Sequence, residues 1–141
     1  MNSVVIARQF LKKHEGFRSK VYLCTSGKKT VGYGRNLDDK GITEDEADYL
    51  LDNDIAECLK DLSGFLWCWN SLNEYQQAAL IDFRFNLGHS GFRQFKKAIA
   101  ALEAGDFKEA GAQIMNSRYA SQVGKRAKDI VDALVTKGEP L

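Results

Sequence analysis

The sequence predicts an α+β fold in which a small β-hairpin lobe and a larger helical lobe are joined by a long helix. Three observations predict it: helical periodicity at the N-terminus, then a short stretch of β-branched and aromatic residues around turn residues, then helical signals in most of the remaining chain. The 141 residues, 44% of them hydrophobic, are enough to bury a core. We predict one domain over residues 1–141, with 15–42 as the small lobe, 43–64 as the linking helix, and 1–14 with 65–141 as the helical lobe.

The first predicted helix begins at Ser3, whose hydroxyl is suited to capping a helix N-terminus. Ile6 and Phe10 follow at the four-residue spacing of one helix face, and Gly16 is a typical stop signal. Glu15 is therefore expected at the end of a helix.

A β hairpin is predicted next. Residues 17–22 and 29–35 are rich in β-branched and aromatic side chains, and the turn-forming residues 25–27 separate them. Residues 36–41 are predicted as a loop.

The linking helix has a clear start signal. Thr43 and Glu46 have the spacing of a capping box, and acidic residues fill the first turn, where the helix dipole favours them. An apolar face then predicts a helix that continues toward Ser63; it consists of Leu50, Leu51, Ile55 and Leu59.

Four further helices are predicted from capping residues and from glycines that follow apolar runs. They extend from a Ser71–Glu74 capping box to Gly88, from about Phe92 to Gly105, from Asp106 with Glu109 to Met115, and from about Gly124 to Val135. We predict that Trp67 and Trp69 pack in this lobe, with stacking on sugar rings as the alternative.

Charge and cysteine content narrow the class of protein. Residues 1–37 carry eight Lys or Arg and one acidic residue, whereas residues 38–90 carry three Lys or Arg and twelve acidic residues. This asymmetry is consistent with an anionic partner on the basic side or with charged faces that are simply solvated. The three cysteines show no paired spacing, which predicts neither a disulfide framework nor a zinc site. The apolar run 4–7 is too short for a signal peptide or a membrane span, so a cytosolic protein is expected.

Glu15 is the candidate for chemistry. Unpaired carbonyls at the end of a helix disfavour an ionised carboxylate, which suits a proton donor, whereas Lys13 or Arg18 would oppose that effect if close. The sequence leaves the balance open. A glutamate at a helix end is by itself more often a surface residue than a catalyst.

The spacing around Glu15 is more specific. Cys24 follows it by nine residues and Thr30 follows Cys24 by six. This pattern resembles the active-site segment of phage-type lysozymes, the endolysin family that includes the T-even phage lysozyme, in which Glu is followed by Asp or Cys and then by Thr. The resemblance extends over nearly the whole chain, through residues 14–18, 21–22, 30–35, 41–47, 117–119 and 126–128.

The resemblance implies a lysozyme-like fold and a muramidase that cuts the β-1,4 bond between N-acetylmuramic acid and N-acetylglucosamine. It implies Glu15 as the general acid and Cys24 with Thr30 as the residues that hold the attacking water, an arrangement that suits inversion. No metal or organic cofactor is expected, because an acid, a base and water suffice. Further roles implied are substrate binding for Tyr33 and Asn86, and for Arg126 an approach to the catalytic glutamate.

Cys24 leaves several alternatives open. An ordinary thiol is only a few per cent thiolate at pH 7, so either the site lowers its pKa or the sulfur only positions water. Attack by the sulfur would instead give a covalent intermediate and retention, and an inert Cys24 would give a protein of low activity. The resemblance also predicts an ion pair between Arg35 and Asp54.

Three rival functions remain. A lytic transglycosylase would use Glu15 without water and form a 1,6-anhydro sugar, and an inactive cell-wall-binding module would bind without cleavage. Nucleic-acid binding is the most distant rival, because stacking aromatics are not interleaved with the basic residues. The resemblance implies a monomer in the host cytoplasm that a holin-type membrane protein releases to its peptidoglycan substrate.

Overall fold

A computed structural model describes residues 2–136. Helices form most of these residues, and the strands form one small three-stranded antiparallel sheet, which confirms the predicted α+β class. The chain divides into two compact units, one up to Tyr49 and one from Leu50 onward. None of the helices within 2–136 has a stretch long and apolar enough to cross a bilayer.

Helix α1, Ser3–Glu15, confirms the first predicted helix. Its cap was predicted one residue too late, since the side-chain oxygen of Asn2 accepts a hydrogen bond from the backbone N–H of Val5 at 3.0 Å. The helix ends where predicted: the N–H of Gly16 donates to the carbonyl of Lys12. Glu15 is thus the last helical residue.

The sheet consists of β1 (Arg18–Leu23), β2 (Lys29–Gly32) and β3 (Arg35–Asn36), in that order. The β1–β2 pair confirms the predicted hairpin. The third strand was not predicted, because residues 29–35 were assigned to one continuous strand. The chain instead reverses at Tyr33 and Gly34 and pairs Val31 with Arg35.

Helix α2, Glu44–Phe65, begins with the predicted capping box. The N–H of Glu46 donates to the hydroxyl of Thr43 at 3.2 Å, and the N–H of Thr43 donates to the Glu46 carboxylate at 2.8 Å. The same carboxylate accepts hydrogen bonds from both guanidinium NH₂ groups of Arg35, at 2.7 and 2.5 Å. The prediction of Asp54 as the partner of Arg35 is therefore wrong: the bidentate partner is the capping-box acid itself.

The Arg35–Glu46 pair gives a pH-dependent stability. The hydrogen bond from Arg35, helped by the Thr43 N–H, lowers the pKa of Glu46 from 4.5 to about 2. A lowered carboxyl pKa stabilises the fold above the unfolded value and loses that effect as pH falls through the folded value. We expect Glu46→Gln, which keeps the capping geometry, to lower the urea midpoint slightly at pH 7, because water screens a pair this exposed.

The difference between Glu46→Gln and the parent should shrink between pH 4.5 and about 2. Urea titrations of both proteins at pH 7, 4 and 2.5 measure it. Glu44→Gln is the matched control, since it removes an acid from the same first helical turn without an ion pair to Arg35. If both variants lost the same stability, the effect would come from the helix dipole and not from the Arg35–Glu46 pair.

Besides the larger part of α2 and a short 3-10 helix, the second unit contains five α-helices within the described residues. The predicted helix ends at Gly105, at Met115 and at Val135 are confirmed, and so is the Asp106 cap, whose side chain accepts from the N–H of Glu109. The helices are α3 (Glu74–Arg93), α4 (Lys96–Glu103), α5 (Phe107–Met115), α6 (Arg118–Val123) and α7 (Lys125–Val135).

Three details of this unit differ from the prediction. Asn73 with Gln76 forms the capping box of α3, so Ser71 was the wrong cap. The helix predicted from about Phe92 begins at Lys96, because Phe92 belongs to the last segment of α3. Gly88 ends the first segment of α3 as predicted, since its φ of 80° and ψ of 173° are not helical. Helix α6, capped by Ser117, was not predicted, because one and a half turns are too short to show helical periodicity.

The core of the second unit is aromatic at its centre. The ring of Phe83 contacts the rings of Phe92, Phe95 and Tyr119 with centroid distances of 5.0 to 5.9 Å, all edge to face. Aliphatic residues surround these rings; those with almost no exposed surface are Leu62, Leu80, Leu102, Ile114, Ile130 and Leu134.

The two tryptophans separate. Trp69 is buried in the core, as predicted. Trp67 is 96% exposed, so its predicted packing role is wrong. Sequence spacing could not distinguish them, because the short 3-10 helix Trp69–Ser71 turns one indole inward and leaves the other outside.

Candidate active site

The carboxyl group of Glu15 lies against the turn between β2 and β3. A Cβ atom built on Gly34 would come within 2.7 Å of Oε2 and 2.9 Å of Cδ of Glu15. The contact therefore requires a residue without a side chain at position 34. This contact brings the end of α1 to the Gly-Tyr-Gly segment, and Glu15 itself remains exposed to solvent.

Gly34 gives a test of this contact. Its φ of 76° and its approach to Glu15 both oppose a side chain, so Gly34→Ala should cost stability of about 1–2 kcal/mol and should displace the carboxyl. For the predicted role of Glu15 as proton donor, activity on cell-wall glycan should fall about 10-fold, since a displaced donor loses its alignment.

The matched control is Gly105→Ala, where φ is 74° but no atom lies within 4 Å of the added Cβ. It should lose stability to a similar degree and keep its specific activity. Thermal unfolding and turbidity loss of permeabilised cells measure the two effects separately. Equal activities of the two variants would show that the Glu15–Gly34 contact does not matter for turnover.

Cys24 begins the tight turn between β1 and β2. Its N–H donates to the carbonyl of Lys28 at 2.9 Å, and its carbonyl accepts from the N–H of Gly27 at 2.8 Å. Thr30 lies on β2, where it pairs with Tyr22, and is buried with 3% exposure. Its hydroxyl donates to the carbonyl of Lys28 at 2.8 Å.

The turn lowers the pKa of the Cys24 thiol below its ordinary value of 9.0. The backbone N–H of Lys28 contributes most and the N–H of Ser26 next; desolvation opposes them, and the hydroxyls of Thr30 and Ser26 add smaller effects. Hydrogen bonds that donate to sulfur favour the thiolate, which is the form that acts as a base.

Sequence reasoning proposed Cys24 and Thr30 as site residues and did not name Ser26 or the backbone of Lys28, which contact the Cys24 sulfur. The signal that was available is the turn sequence 25–27 itself, because a tight turn directs successive N–H groups toward the residue that precedes it. The structure thus brings Cys24 and Thr30 together through the turn they share.

Tyr33 is next to Gly34 and is half-exposed. Its ring packs on Phe17 with a centroid distance of 5.7 Å, and the Nζ of Lys12 lies 5.2 Å from its centroid. These contacts fix an aromatic face in the segment that touches Glu15. A fixed and partly exposed aromatic ring is suited to contact with a sugar.

Asn86 and Arg126 belong to the second unit. Asn86 is an exposed residue of α3, two positions before the bend at Gly88. Arg126, on α7, donates from Nε and Nη2 to one carboxylate oxygen of Asp82, at 2.8 and 2.5 Å. The Asp82 pair is a partner of Arg126 that sequence reasoning did not predict, and the proposed roles of both residues stay predictions.

Comparison with known proteins gives consistent matches. The profile of the family described as phage lysozyme matches residues 12–137, a span that contains every predicted site residue. An endolysin of Acyrthosiphon pisum secondary endosymbiont phage 1 is 32% identical over 120 residues, 82% of this chain and 80% of that protein. Probable T4-type lysozyme 2 of Dictyostelium discoideum is 23% identical over 159 residues, 92% of this chain and 93% of that protein.

A third relative has a different setting. The pre-baseplate central spike protein Gp5 of Enterobacteria phage T4 is 25% identical over 156 residues. The match covers 91% of this chain but 27% of the spike protein. The likeness therefore concerns one part of that longer protein.

Proposed function

This chain belongs to the phage lysozyme family, and on that premise we propose that it is an endolysin muramidase that hydrolyses the β-1,4 bond between N-acetylmuramic acid and N-acetylglucosamine. Membership makes the chain a glycoside hydrolase, and the endolysin relative supports a lysozyme or endolysin function with peptidoglycan as substrate. The bond, the mechanism and the residue roles are our proposal.

The observation that carries the proposal is the environment of Cys24. Its sulfur lies in a turn whose N–H groups lower the thiol pKa, and the turn also includes the carbonyl that orients Thr30. In the proposed mechanism the Cys24 thiolate accepts a proton from the attacking water. The Thr30 hydroxyl has the Lys28 carbonyl and the Cys24 sulfur as acceptors for its one hydrogen, and its oxygen accepts a hydrogen bond from that water.

Glu15 is the proposed general acid. It donates its proton to the glycosidic oxygen as the bond to the anomeric carbon breaks, so the leaving sugar departs as a neutral alcohol. Gly34 supports this role because it lets the chain approach the carboxyl without a side chain in between. Acid, base and water account for every proton, so the reaction as written needs no cofactor.

The proposed course is inverting. A water molecule that attacks from the face opposite the leaving group gives the α anomer from a β bond, and such a mechanism needs separate acid and base residues with room for the water. Direct attack by sulfur would form a thioglycosyl intermediate and retain the configuration. A base made from Cys24 and assisted by Thr30 favours the first course.

Isotope labelling tests hydrolysis against the transglycosylase rival. Digestion of purified sacculi in H₂¹⁸O should give reducing N-acetylmuramic acid ends that carry one ¹⁸O, as read by mass spectrometry after rapid quenching. Products that close to 1,6-anhydro sugars without label would establish a lytic transglycosylase. Sacculi that bind the protein but release no products would establish a binding module.

We propose for the cellular setting what the family resemblance implies: a monomer that accumulates in the host cytoplasm and reaches peptidoglycan after a holin-type protein opens the inner membrane. The endolysin relative supports the cell wall as the target, and the monomer, the cytoplasmic accumulation and the holin are our proposal. Substrate contacts are proposed for Tyr33 and Asn86, and for Arg126 an influence on the charge of Glu15.

A further inference from the structure

Trp67 is an exposed indole that the catalytic proposal does not use. It is 96% exposed, whereas Trp69, two residues later, is 5% exposed. An indole is the largest apolar side chain, and its exposure leaves considerable apolar surface in water. Tryptophan is also the residue that most often dominates binding at interfaces.

The turn that carries the exposed Trp67 is fixed by contacts on both sides of the residue. Leu66 before it and Trp69 after it are both buried in the core. The carboxylate of Glu103 accepts a hydrogen bond from the N–H of Trp67 at 3.1 Å and another from the N–H of Cys68 at 3.0 Å. These contacts fix the backbone that carries the indole. It therefore loses little conformational entropy when a ligand stacks on the indole.

The chain on either side of Trp67 carries acidic and not basic residues, which favours a sugar over a lipid surface. Residues 61–83 contain no Lys or Arg, and Asp61, Glu74 and Asp82 are their charged residues. Helices and loops that bind anionic membranes instead carry basic residues beside their apolar ones. Polar residues lie close to Trp67: the exposed Asn70 and Ser71 follow it in the chain, and the carboxylate of Glu103 accepts from its backbone N–H.

Such a combination matches the chemistry of a pyranose. A sugar ring presents apolar C–H groups on its faces, which pack on an aromatic face, and hydroxyl or amide groups at its rim, which donate to a carboxylate. The Glu103 carboxylate accepts the N–H groups of Trp67 and Cys68 and the Cys68 thiol, which leaves one lone pair for a further donor.

We infer that Trp67, with Glu103 beside it, forms a second contact for β-1,4-linked N-acetylhexosamine strands, additional to the Glu15, Cys24 and Thr30 machinery. The identity of the ligand rests on the proposed muramidase function. A second contact on a polymer raises the residence of the enzyme on its substrate without touching the scissile bond. It therefore acts on long strands and leaves short oligosaccharides unaffected.

Binding in an inactive background tests the inference separately from catalysis. Glu15→Gln protein is sedimented with peptide-free glycan strands and, in parallel, with vesicles rich in anionic lipid. Adding Trp67→Ala should weaken glycan binding about 10-fold, whereas Trp67→Phe should preserve most of it. Tyr75→Ala, which removes an aromatic residue that is 42% exposed elsewhere on the same unit, should bind like the background protein.

Turnover provides the second readout, in the otherwise unchanged enzyme. Trp67→Ala should raise KM on intact sacculi and leave kcat/KM on a short soluble oligosaccharide equal to that of the parent. The inference would be overturned if Trp67→Ala left glycan binding unchanged or weakened vesicle binding in its place. It would also be overturned if the variant lost activity equally on long and short substrates. An unlabelled product in H₂¹⁸O would overturn the hydrolytic proposal alone, since the binding assay does not depend on cleavage.

Discussion

Glu15→Gln is expected to lower the rate of cell-wall hydrolysis by about 10²–10⁴-fold, the usual contribution of a general acid. The amide has nearly the size of the carboxyl but no acidic proton, so the leaving sugar would have to depart as an alkoxide. Turbidity loss of an outer-membrane-permeabilised suspension and release of reducing ends from purified sacculi both measure the rate.

The fold and the binding of substrate serve as controls for Glu15→Gln. The variant should keep the circular dichroism spectrum and the thermal midpoint of the parent, because Glu15 is exposed at a helix end. It should still sediment with sacculi. Full hydrolytic rate in this variant would rule out Glu15 as the proton donor, and loss of folding would be visible in the spectrum.

The second large effect is expected at Cys24. Cys24→Ser should lose about 100-fold in activity, because a hydroxyl in place of the thiol does not ionise near neutral pH and so gives no general base. Cys24→Asp should remain active, since a carboxylate is a competent base and the turn that donates to sulfur can donate to oxygen.

The pH dependence of kcat/KM distinguishes these roles. A base must be deprotonated, so activity falls as pH decreases through its pKa. In the parent the turn lowers the pKa of Cys24 below 9.0, and in Cys24→Asp the acidic limb should move to still lower pH. If Cys24→Ser matched the parent in rate and in pH profile, sulfur chemistry would be excluded.

Cys68→Ser is the matched control for loss of a thiol. Burial and the neighbouring Glu103 raise the pKa of Cys68 to about 12, so this thiol stays protonated at neutral pH and offers no base. The variant should hydrolyse sacculi at the parental rate. A drop equal to that of Cys24→Ser would show that thiol loss affects the fold and not the reaction.

The sequence predicted most helices because their signals are local. The Thr43–Glu46 box and the Asp106–Glu109 cap are contained within four residues, and their hydrogen bonds form as expected. Where two capping sets were adjacent, spacing could not decide. Ser71 and Asn73 are both good caps, and the turn formed by the 3-10 helix selects Asn73.

The errors concern contacts that depend on the folded chain. Glu46 and Asp54 lie on one helix, and the choice of Glu46 as the partner of Arg35 follows from the reversal at Gly34, which spacing along the chain does not encode. The exposure of Trp67 likewise depends on the anchoring of its turn by a residue 36 positions later.

The candidate site is more predictable than these contacts because its motif is compact. Glu15, Cys24 and Thr30 lie within 16 residues of one another in a helix end, a tight turn and a short sheet. The main donors that lower the pKa of Cys24 are backbone N–H groups; residues 25–27 indicated a turn, but which N–H groups reach the sulfur depends on the folded chain. The pKa shift required the folded turn.

Proton NMR of the first sugar anomer released from a soluble peptidoglycan fragment tests the water-holding role of Cys24 and Thr30 most directly. Spectra recorded before mutarotation should show the α anomer of N-acetylmuramic acid, because water attacks from the face opposite the departing sugar. Initial release of the β anomer would contradict the mechanism, since it requires a covalent intermediate on the enzyme in place of a held water.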